Sequence, residues 1–359
     1  MNNQKETIRK FVNYINNPDH LGGFWLPNIQ RPFVWSEDQI ERLYDSILRE
    51  YPIGTLLIWK NKSKIKHRKF IDNWKDDLRL LDFYVPTNEN PKMLVLDGQQ
   101  RMQSLYIGLK GSYNGNELYF NVVSGDLKAP DDRRYEFKFS ANAPRFPWVK
   151  FSSLVFPDKK NKEFKQELIQ LAGRDFTDKE DDRIDENIEL VRNVFCTQDN
   201  LLYQEVDSID RPTAYTEDDI VEIFIRANSG GTKLDKSDLL FSLLVSSWDE
   251  ANESMTLLLD ELNNDGYAFG RDFILKTCLT IFDKGASYEV AKFRDGDTKQ
   301  KIEDNWSALT NAIKDVKDFI KGRTYIQSDK ALYVLPGAYT AYLFPVSLSR
   351  PMETGQRNQ

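Results

Sequence analysis

An unbroken apolar run that leads into helical spacing organises this sequence. The four residues from Met93 to Leu96 are all apolar, which is typical of a strand buried on both faces. Apolar residues then recur at positions i, i+3, i+4 and i+7, a spacing that predicts a helix: Met102, Leu105, Tyr106 and Leu109. The pattern therefore predicts a buried strand that turns directly into a helix.

The rest of the hydrophobic pattern predicts an α+β core. Helices are predicted at 8–15 and 40–47, and strands at 55–59, 118–123 and 135–139. We interpret 201–206 as a further strand that returns to the sheet. From residue 158 onward the composition shifts towards helix formers and charged residues. The predicted fold class is α+β, a mixed-sheet core followed by a mainly α-helical domain.

Four segments follow from this shift in pattern. They are a core at 1–157, a charged helical insertion at 158–200, a mainly helical domain at 201–345 and a tail at 346–359. Apolar stripes typical of a helical bundle occur at 239–244, 250–263, 271–282, 299–320 and 329–343. We interpret these helices as scaffold; the alternative is a docking surface for a downstream nuclease or a second subunit.

The predicted turn between strand and helix, Asp97 to Arg101, carries unusual charge. Helix starts usually hold Asp or Glu, but here two glutamines and an arginine follow Gly98. One hypothesis is a bound phosphate, with Arg101 as a fork to two oxygens, Gln99 and Gln100 orienting a water or a base, and Asp97 capping the helix and holding a divalent cation. The alternative is a structural turn whose Arg101 pairs with a core carboxylate.

Four motifs in a fixed order resemble a known family. They are IQRPFVW at 29–35, YPIG at 51–54, DGQQR at 97–101 and FIRANSGGTKL at 224–234. Together they resemble the GmrSD-type restriction-system N-terminal family, over roughly residues 10 to 245. The resemblance implies a ParB/sulfiredoxin-like core, and a nucleoside triphosphate (GTP, ATP or CTP) with Mg²⁺ that controls DNA cleavage in defence against phage.

The charge pattern of the turn and the resemblance together give the candidate site residues. Asp97, Gln100 and Arg101 are the candidate catalytic residues, with Asp97 also as metal ligand. The candidate nucleotide-binding residues are Gln30, Arg31, Gly98, Gln99, Arg226 and Asn228. From the residues alone, the 24–35 stretch could bring an arginine and an amide to a pocket wall, or could be a packed loop whose arginine caps carbonyls.

A row of basic residues after the strand at 55–59 is the candidate DNA contact. If the chain stays extended, every second side chain points to one face, so that these five charges are spaced at about 6.6 Å: Lys60, Lys62, Lys64, Lys66 and Arg68. This spacing is similar to that of phosphates along one strand. The alternative is a row of lysines that protects an exposed edge strand from unwanted pairing.

Composition limits the classes of function. The 359 residues are 40% apolar, enough for a real core, and the net charge of −7 means that any DNA contact must come from a local patch. Two cysteines, Cys196 and Cys278, fit a reducing compartment and exclude a disulfide framework or a cysteine-rich zinc site. The sequence has no signal-peptide pattern and no apolar run long enough to span a membrane, so we expect a cytoplasmic location.

The leading prediction is a nucleotide-binding, NTP-hydrolysing sensor or regulatory module of a DNA restriction system, acting on DNA with or without base modification. The alternatives are a non-hydrolysing, nucleotide-gated DNA-binding or protein-interaction switch and a ParB-like metal-dependent nuclease. His20 and His67 are too few for the HNH nuclease often fused to this family, so we expect the nuclease on another chain or beyond the C terminus. A homodimer is left open.

Overall fold

A mixed β-sheet forms the centre of the N-terminal part of the computed structural model. The structure describes residues 2–27, 33–62, 67–78, 80–85, 88–215, 217–228, 251–282 and 296–324. In chain order its strands are β1 (Asn2–Glu6), β2 (Phe24–Pro27), β3 (Leu56–Asn61), β4 (His67–Arg68), β5 (Asn73–Trp74), β6 (Tyr84–Val85), β7 (Lys92–Asp97), β8 (Ser112–Tyr113), β9 (Glu117–Asn121), β10 (Phe137–Ser140), β11 (Trp148–Lys150) and β12 (Leu201–Asp207).

Helices make up most of the remaining described chain. They are α1 (Ile8–Tyr14), α2 (Glu37–Leu48), α3 (Gln99–Lys110), α4 (Phe151–Val155), α5 (Asn161–Ala172), α6 (Asp178–Arg192), α7 (Glu217–Asn228), α8 (Ala251–Leu262), α9 (Arg271–Ile281), α10 (Gly296–Asp304) and α11 (Trp306–Thr324). The predicted α+β fold class, with helices in the C-terminal part, is confirmed.

The strands pair in the order β1-β12-β3-β7-β2-β4-β6, so the central strands come from distant parts of the chain. Strand β7 is antiparallel to β3 and parallel to β2. Its residues Met93, Leu94 and Val95 are fully buried, as the unbroken apolar run predicts. Smaller sheets pair β9 with β10 and β11, and β5 with β8.

Helix α3 packs closely against α2 in the core beside the sheet. The hydroxyl of the buried Tyr44 on α2 donates a hydrogen bond of 3.1 Å to the carbonyl of Leu105 on α3. Gly108 permits this approach, because a Cβ there would lie 2.5 Å from the Tyr44 hydroxyl oxygen. The middle and the last turn of α3 are therefore held against α2.

Side-chain amides fix the extended segment at residues 70–71 on both sides. Asn16 donates to the carbonyl of Phe70 at 2.8 Å and accepts from its amide at 2.9 Å. Gln103 on α3 makes the same pair of hydrogen bonds to the backbone of Ile71. Because each amide group imitates a strand partner, this segment is fixed without a neighbouring strand.

Strand β12 lies in the sheet, as the interpretation of 201–206 as a returning strand predicts, although the helical domain predicted at 201–345 included these residues. Contacts divide the chain into the units Met1–Thr216 and Glu217–Gln359. Strand β12 pairs with the N-terminal β1 and with β3, and α6 packs Ile184 into the same core. The insertion predicted at 158–200 is thus part of the sheet unit, because its apolar face covers the core.

The second unit is helical in its described part. The core of this unit joins α8, α9, α10 and α11 through buried residues that include Met255, Ile274, Ile302 and Leu309. The single helix predicted at 299–320 is two helices, which meet at Asn305. The helices predicted at 239–244 and 329–343 lie outside the described residues, as does the tail. None of the described helices is long and apolar enough to cross a membrane.

Candidate functional site

The strand-to-helix turn begins at a glycine that no other residue could replace without strain. Strand β7 ends at Asp97, and Gly98 takes a left-handed conformation with φ +87° before α3 starts. A Cβ on Gly98 would lie 2.2 Å from Cδ2 of Leu56. Both its conformation and the close approach of β3 therefore require glycine.

The predicted cap on α3 is wrong. Gly98 is the N-cap residue, and a glycine has no side chain that could accept a hydrogen bond from the first turn of the helix. Asp97 points elsewhere: its Oδ2 accepts a hydrogen bond of 3.3 Å from NH2 of Arg101. Since the first turn also has no acidic residue, the partial positive charge of the helix start is not offset by a nearby cap.

Arg101 binds protein groups on the neighbouring loop. NH1 donates to the carbonyl of Ile53 at 2.5 Å, and NH2 donates to the carbonyl of Thr55 at 3.4 Å as well as to Asp97. The side chain is 19% exposed. Burial lowers the pKa of Arg101, while the Asp97 carboxylate opposes that shift; the guanidinium nevertheless stays charged.

Two glycines leave the space that the guanidinium occupies. Gly54, with φ +83°, lies so close that a Cβ would be 2.7 Å from NH1 of Arg101. A Cβ on Gly98 would be 3.1 Å from NH2. The glycines of the YPIG and DGQQR motifs therefore both leave room for the guanidinium of Arg101. Neither motif alone indicates this connection.

The two glutamines of the turn also hold backbone groups. Gln99 donates from Nε2 to the carbonyl of Val95 at 3.0 Å. Gln100 accepts at Oε1 from the amide of Val34, also at 3.0 Å. The structure thus brings together parts of three motifs, at 33–35, 53–55 and 97–101. Val34, Ile53 and Thr55 take part through their backbones, which is why the sequence analysis missed them.

The geometry of this turn matches neither the phosphate-fork hypothesis nor the structural hypothesis completely. Arg101 does pair with a carboxylate, but that carboxylate is Asp97 of the same turn, with a side chain that is 34% exposed, and not a core acid. The Oδ1 atom of Asp97 has no hydrogen-bond partner in the described part of the chain. The roles of Asp97, Gln100 and Arg101 in nucleotide chemistry stay predictions.

Four of the other predicted nucleotide-binding residues lie outside the described residues or in the second unit. Gln30 and Arg31 lie outside the described residues. Arg226 lies on α7 in the second unit, where it is exposed and donates to Glu222 at 2.8 Å. Asn228 is the last residue of α7, and its side chain is not among those described. Their roles also stay predictions.

The predicted row of basic residues does not form as one exposed face. Strand β3 ends at Asn61, and Arg68 lies on β4, which pairs on both sides; its side chain is 4% exposed, and burial lowers its pKa to about 10. Lys60 is engaged with Asp207 at 3.1 Å and Asp210 at 2.6 Å. Lys62 is exposed, and Lys64 and Lys66 lie outside the described residues.

Arg68 differs from the prediction because it lies on a strand that is paired on both sides and not on a free edge. Pairing with β2 and β6 buries the arginine, so it cannot reach a DNA backbone in this arrangement. Contact of the remaining lysines with DNA stays a prediction. Among the described residues, no group of three or more His, Cys, Asp or Glu side chains could hold a metal ion.

Comparisons with known proteins agree with the motifs. Residues 8–245 match the family described as GmrSD restriction endonuclease, N-terminal domain. The match starts at α1 and extends past α7. The chain is also similar to an uncharacterized protein of Methanocaldococcus jannaschii, with 26% identity over 257 residues, which are 64% of this chain and 41% of that protein. The chain thus spans about two fifths of that relative's length.

Proposed function

This chain belongs to the GmrSD restriction endonuclease N-terminal domain family, and from that premise we propose that it is the nucleotide-binding, NTP-hydrolysing sensor or regulatory module of a DNA restriction or anti-phage defence system. The family supports the role in restriction, with DNA as the substrate of the whole system. In this proposal the nuclease is a separate domain or subunit. The nucleotide part rests on the turn at the start of α3.

The start of α3 at Gly98 is the observation that carries the nucleotide proposal. Its N-cap residue is a glycine, which has no side chain to cap the first amides, its first turn has no acid, and the charged Arg101 lies in that turn. Backbone amides and partial positive charge at a helix start favour an anion. A phosphate of GTP, ATP or CTP has the charge and the acceptor oxygens for this position.

Asp97 fits the pattern by which Mg²⁺ is bound with a nucleotide. Mg²⁺ commonly uses one or two carboxylates, with substrate phosphates and waters completing its shell. Asp97 is partly exposed, and its Oδ1 is not used by any described protein group. Bound there, Mg²⁺ would neutralise charge on the phosphates. Gln100, held by the amide of Val34, is the residue that we propose orients the attacking water.

Thermal shift with GTP, ATP and CTP, each with Mg²⁺, tests the proposal. At a nucleotide concentration about 100 times Kd, binding to the folded chain alone would stabilise it by about 2.7 kcal/mol. We expect one or more of the three to raise the melting temperature, and Asp97→Asn to reduce that rise. Asp175→Asn, a matched change at an exposed position, should leave it unchanged. No rise with any of the three would overturn nucleotide binding.

A non-hydrolysing switch is the second candidate, and one observation favours it. Arg101 is bound to two carbonyls and a carboxylate, so it is not free to approach the developing charge of a transferring phosphoryl group. A phosphate-release assay separates the two candidates. Turnover that Gln100→Ala abolishes would support hydrolysis, whereas nucleotide binding with negligible release would support the switch.

A further inference from the structure

We propose that Arg101 is a positioning residue that holds the 53–55 loop and Asp97 beside the nucleotide, and that it does not itself contact the phosphate. This inference rests on the proposed nucleotide-binding function. It differs from the expectation, drawn from the sequence, that the guanidinium forms a fork to two phosphate oxygens. The reasons lie in the contacts, the space and the exposure of this side chain.

The contacts of the guanidinium point away from an incoming anion. Both terminal nitrogens donate to the loop: NH1 to Ile53 at 2.5 Å and NH2 to Thr55 at 3.4 Å. NH2 also donates to Asp97 at 3.3 Å. To bind a phosphate bidentately, Arg101 would have to give up its short, partly buried hydrogen bond to Ile53 together with the bonds to Thr55 and Asp97, which costs free energy.

The surrounding backbone is shaped for this arrangement. Gly54 and Gly98 both have positive φ, and a Cβ on either would lie within 3.1 Å of a guanidinium nitrogen. One glycine comes from each of the two segments that Arg101 joins. The space between them is therefore a socket for the guanidinium, and its filling fixes the distance between the loop and the turn.

The consequence of this socket lies at Asp97. Arg101 occupies Oδ2 of the carboxylate, which leaves Oδ1 as the oxygen available to a cation on the phosphates. A hydrogen-bond donor behind a metal-binding carboxylate sets its orientation, and removal of such a partner typically lowers metal affinity by about 10–100-fold. Arg101 thus acts on the nucleotide through Asp97 and the loop, while the first amides of α3 bind the phosphate.

Calorimetric titration of a nucleoside triphosphate, in EDTA and again in Mg²⁺, tests the assignment. The variants are Arg101→Ala, Arg101→Lys and Gly54→Ala, with Arg42→Ala as the control because it removes a charge from an exposed position on α2. We expect Arg101→Ala and Gly54→Ala to lose about 10–100-fold of affinity in Mg²⁺ and to match the wild type in EDTA. Arg101→Lys keeps the charge but not the fork, and should not restore the affinity.

Three results would overturn the assignment. They are a loss of affinity in EDTA for Arg101→Ala but not for Gly54→Ala, restoration of affinity by Arg101→Lys, and additive losses in the double variant Gly54→Ala/Arg101→Ala. The first two would mean that the charge itself contacts the phosphate, and the third would mean that Gly54 does not act through Arg101. If Arg101→Ala does not fold, Arg101→Lys and Gly54→Ala carry the test.

Amide hydrogen exchange without nucleotide separates this inference from the proposed function. Exchange at residues 53–56 should be faster in Arg101→Ala than in the wild type or in Arg42→Ala. Unchanged exchange would overturn the positioning role, whether or not nucleotide binds. If the wild type binds no nucleotide, the proposed function fails, and faster exchange still shows that Arg101 holds the loop.

Discussion

At the scale of single residues, the candidate site depends on backbone geometry as much as on side chains. Gly98 is left-handed and touches Leu56 across the sheet, and it places Asp97 and Arg101 on either side of one bend. Another left-handed glycine, Gly115, has nothing within 4 Å of the position that a Cβ would take. Alanine at Gly115 would therefore have only the free-energy cost of a left-handed backbone, whereas alanine at Gly98 would also have the cost of a close contact.

Alanine substitution of these two glycines gives a matched prediction. Gly115→Ala should destabilise the protein by about 1–2 kcal/mol, the cost of a left-handed conformation for a residue with a Cβ. Gly98→Ala adds the contact of 2.2 Å with Leu56 and should cost at least about 1 kcal/mol more, through overpacking. Urea denaturation measures both changes. Equal losses for the two variants would mean that the contact with Leu56 relaxes without cost.

At the scale of elements, an ion pair between Lys60 and Asp207 holds the end of β12. Lys60 is one of the residues that the sequence analysis assigned to DNA contact. Asp207 accepts hydrogen bonds at Oδ1 from the amides of Ile209 and Asp210, at 2.9 and 3.0 Å, and pairs through Oδ2 with Lys60 on β3. Burial raises the pKa of Asp207, but these donors outweigh it, and the pKa falls from 3.8 to about 2. The pair links the end of β12 to the neighbouring strand β3 at the point where the chain leaves the sheet.

The lowered pKa of Asp207 predicts a pH dependence of stability. Because the folded state binds the proton less tightly than the unfolded state, the contribution is complete above about pH 4 and is lost as the pH falls from 3.8 towards 2. Its size is on the order of 2 kcal/mol. Asp207→Asn should therefore be less stable than the wild type at pH 5.5, and the difference should shrink at pH 3.

Urea midpoints at the two pH values measure this effect. Asp175→Asn serves as the control, because Asp175 is exposed and this change leaves the end of β12 intact. A gap between Asp207→Asn and the wild type that is as large at pH 3 as at pH 5.5 would contradict the proposed electrostatic origin.

At the scale of the whole molecule, the net charge limits how the protein can bind DNA. The net charge of −7 disfavours general attraction to nucleic acid, so DNA binding needs a local basic patch. Lys60 and Arg68 are engaged or buried, which leaves Lys62 and the lysines at 64 and 66 as the candidates from the original row. The family match continues to residue 245, past the boundary between the two units at Thr216.

Charge reversal tests this remaining patch. Lys62→Glu together with Lys64→Glu should weaken DNA retention and reduce the slope of log affinity against log salt by about 2, because each lost phosphate contact removes close to one released counterion. Lys162→Glu with Lys179→Glu gives the same net charge at exposed positions on α5 and α6. Equal salt slopes for the two double variants would refute a contact at Lys62 and Lys64.

The sequence by itself determined the central elements and the motif family. The apolar run at Met93 to Leu96 and the helical spacing after it predict β7 and α3, and the alternation at 135–139 predicts a strand where β10 lies, because these patterns follow from which faces of an element are buried. Four ordered motifs identified the family that the match over 8–245 then showed. Local periodicity and short motifs depend only on residues that are close together in the sequence, so they can be recognised without a structure.

Only the tertiary structure decided which groups meet. It placed β12 between β1 and β3, buried Arg68 on a doubly paired strand, and turned Arg101 towards the carbonyls of Ile53 and Thr55. These outcomes depend on partners far apart in the chain, and several of the partners are backbone groups that every residue possesses. A sequence pattern therefore specifies which faces of an element are buried, whereas the packed fold specifies which groups each charged side chain contacts.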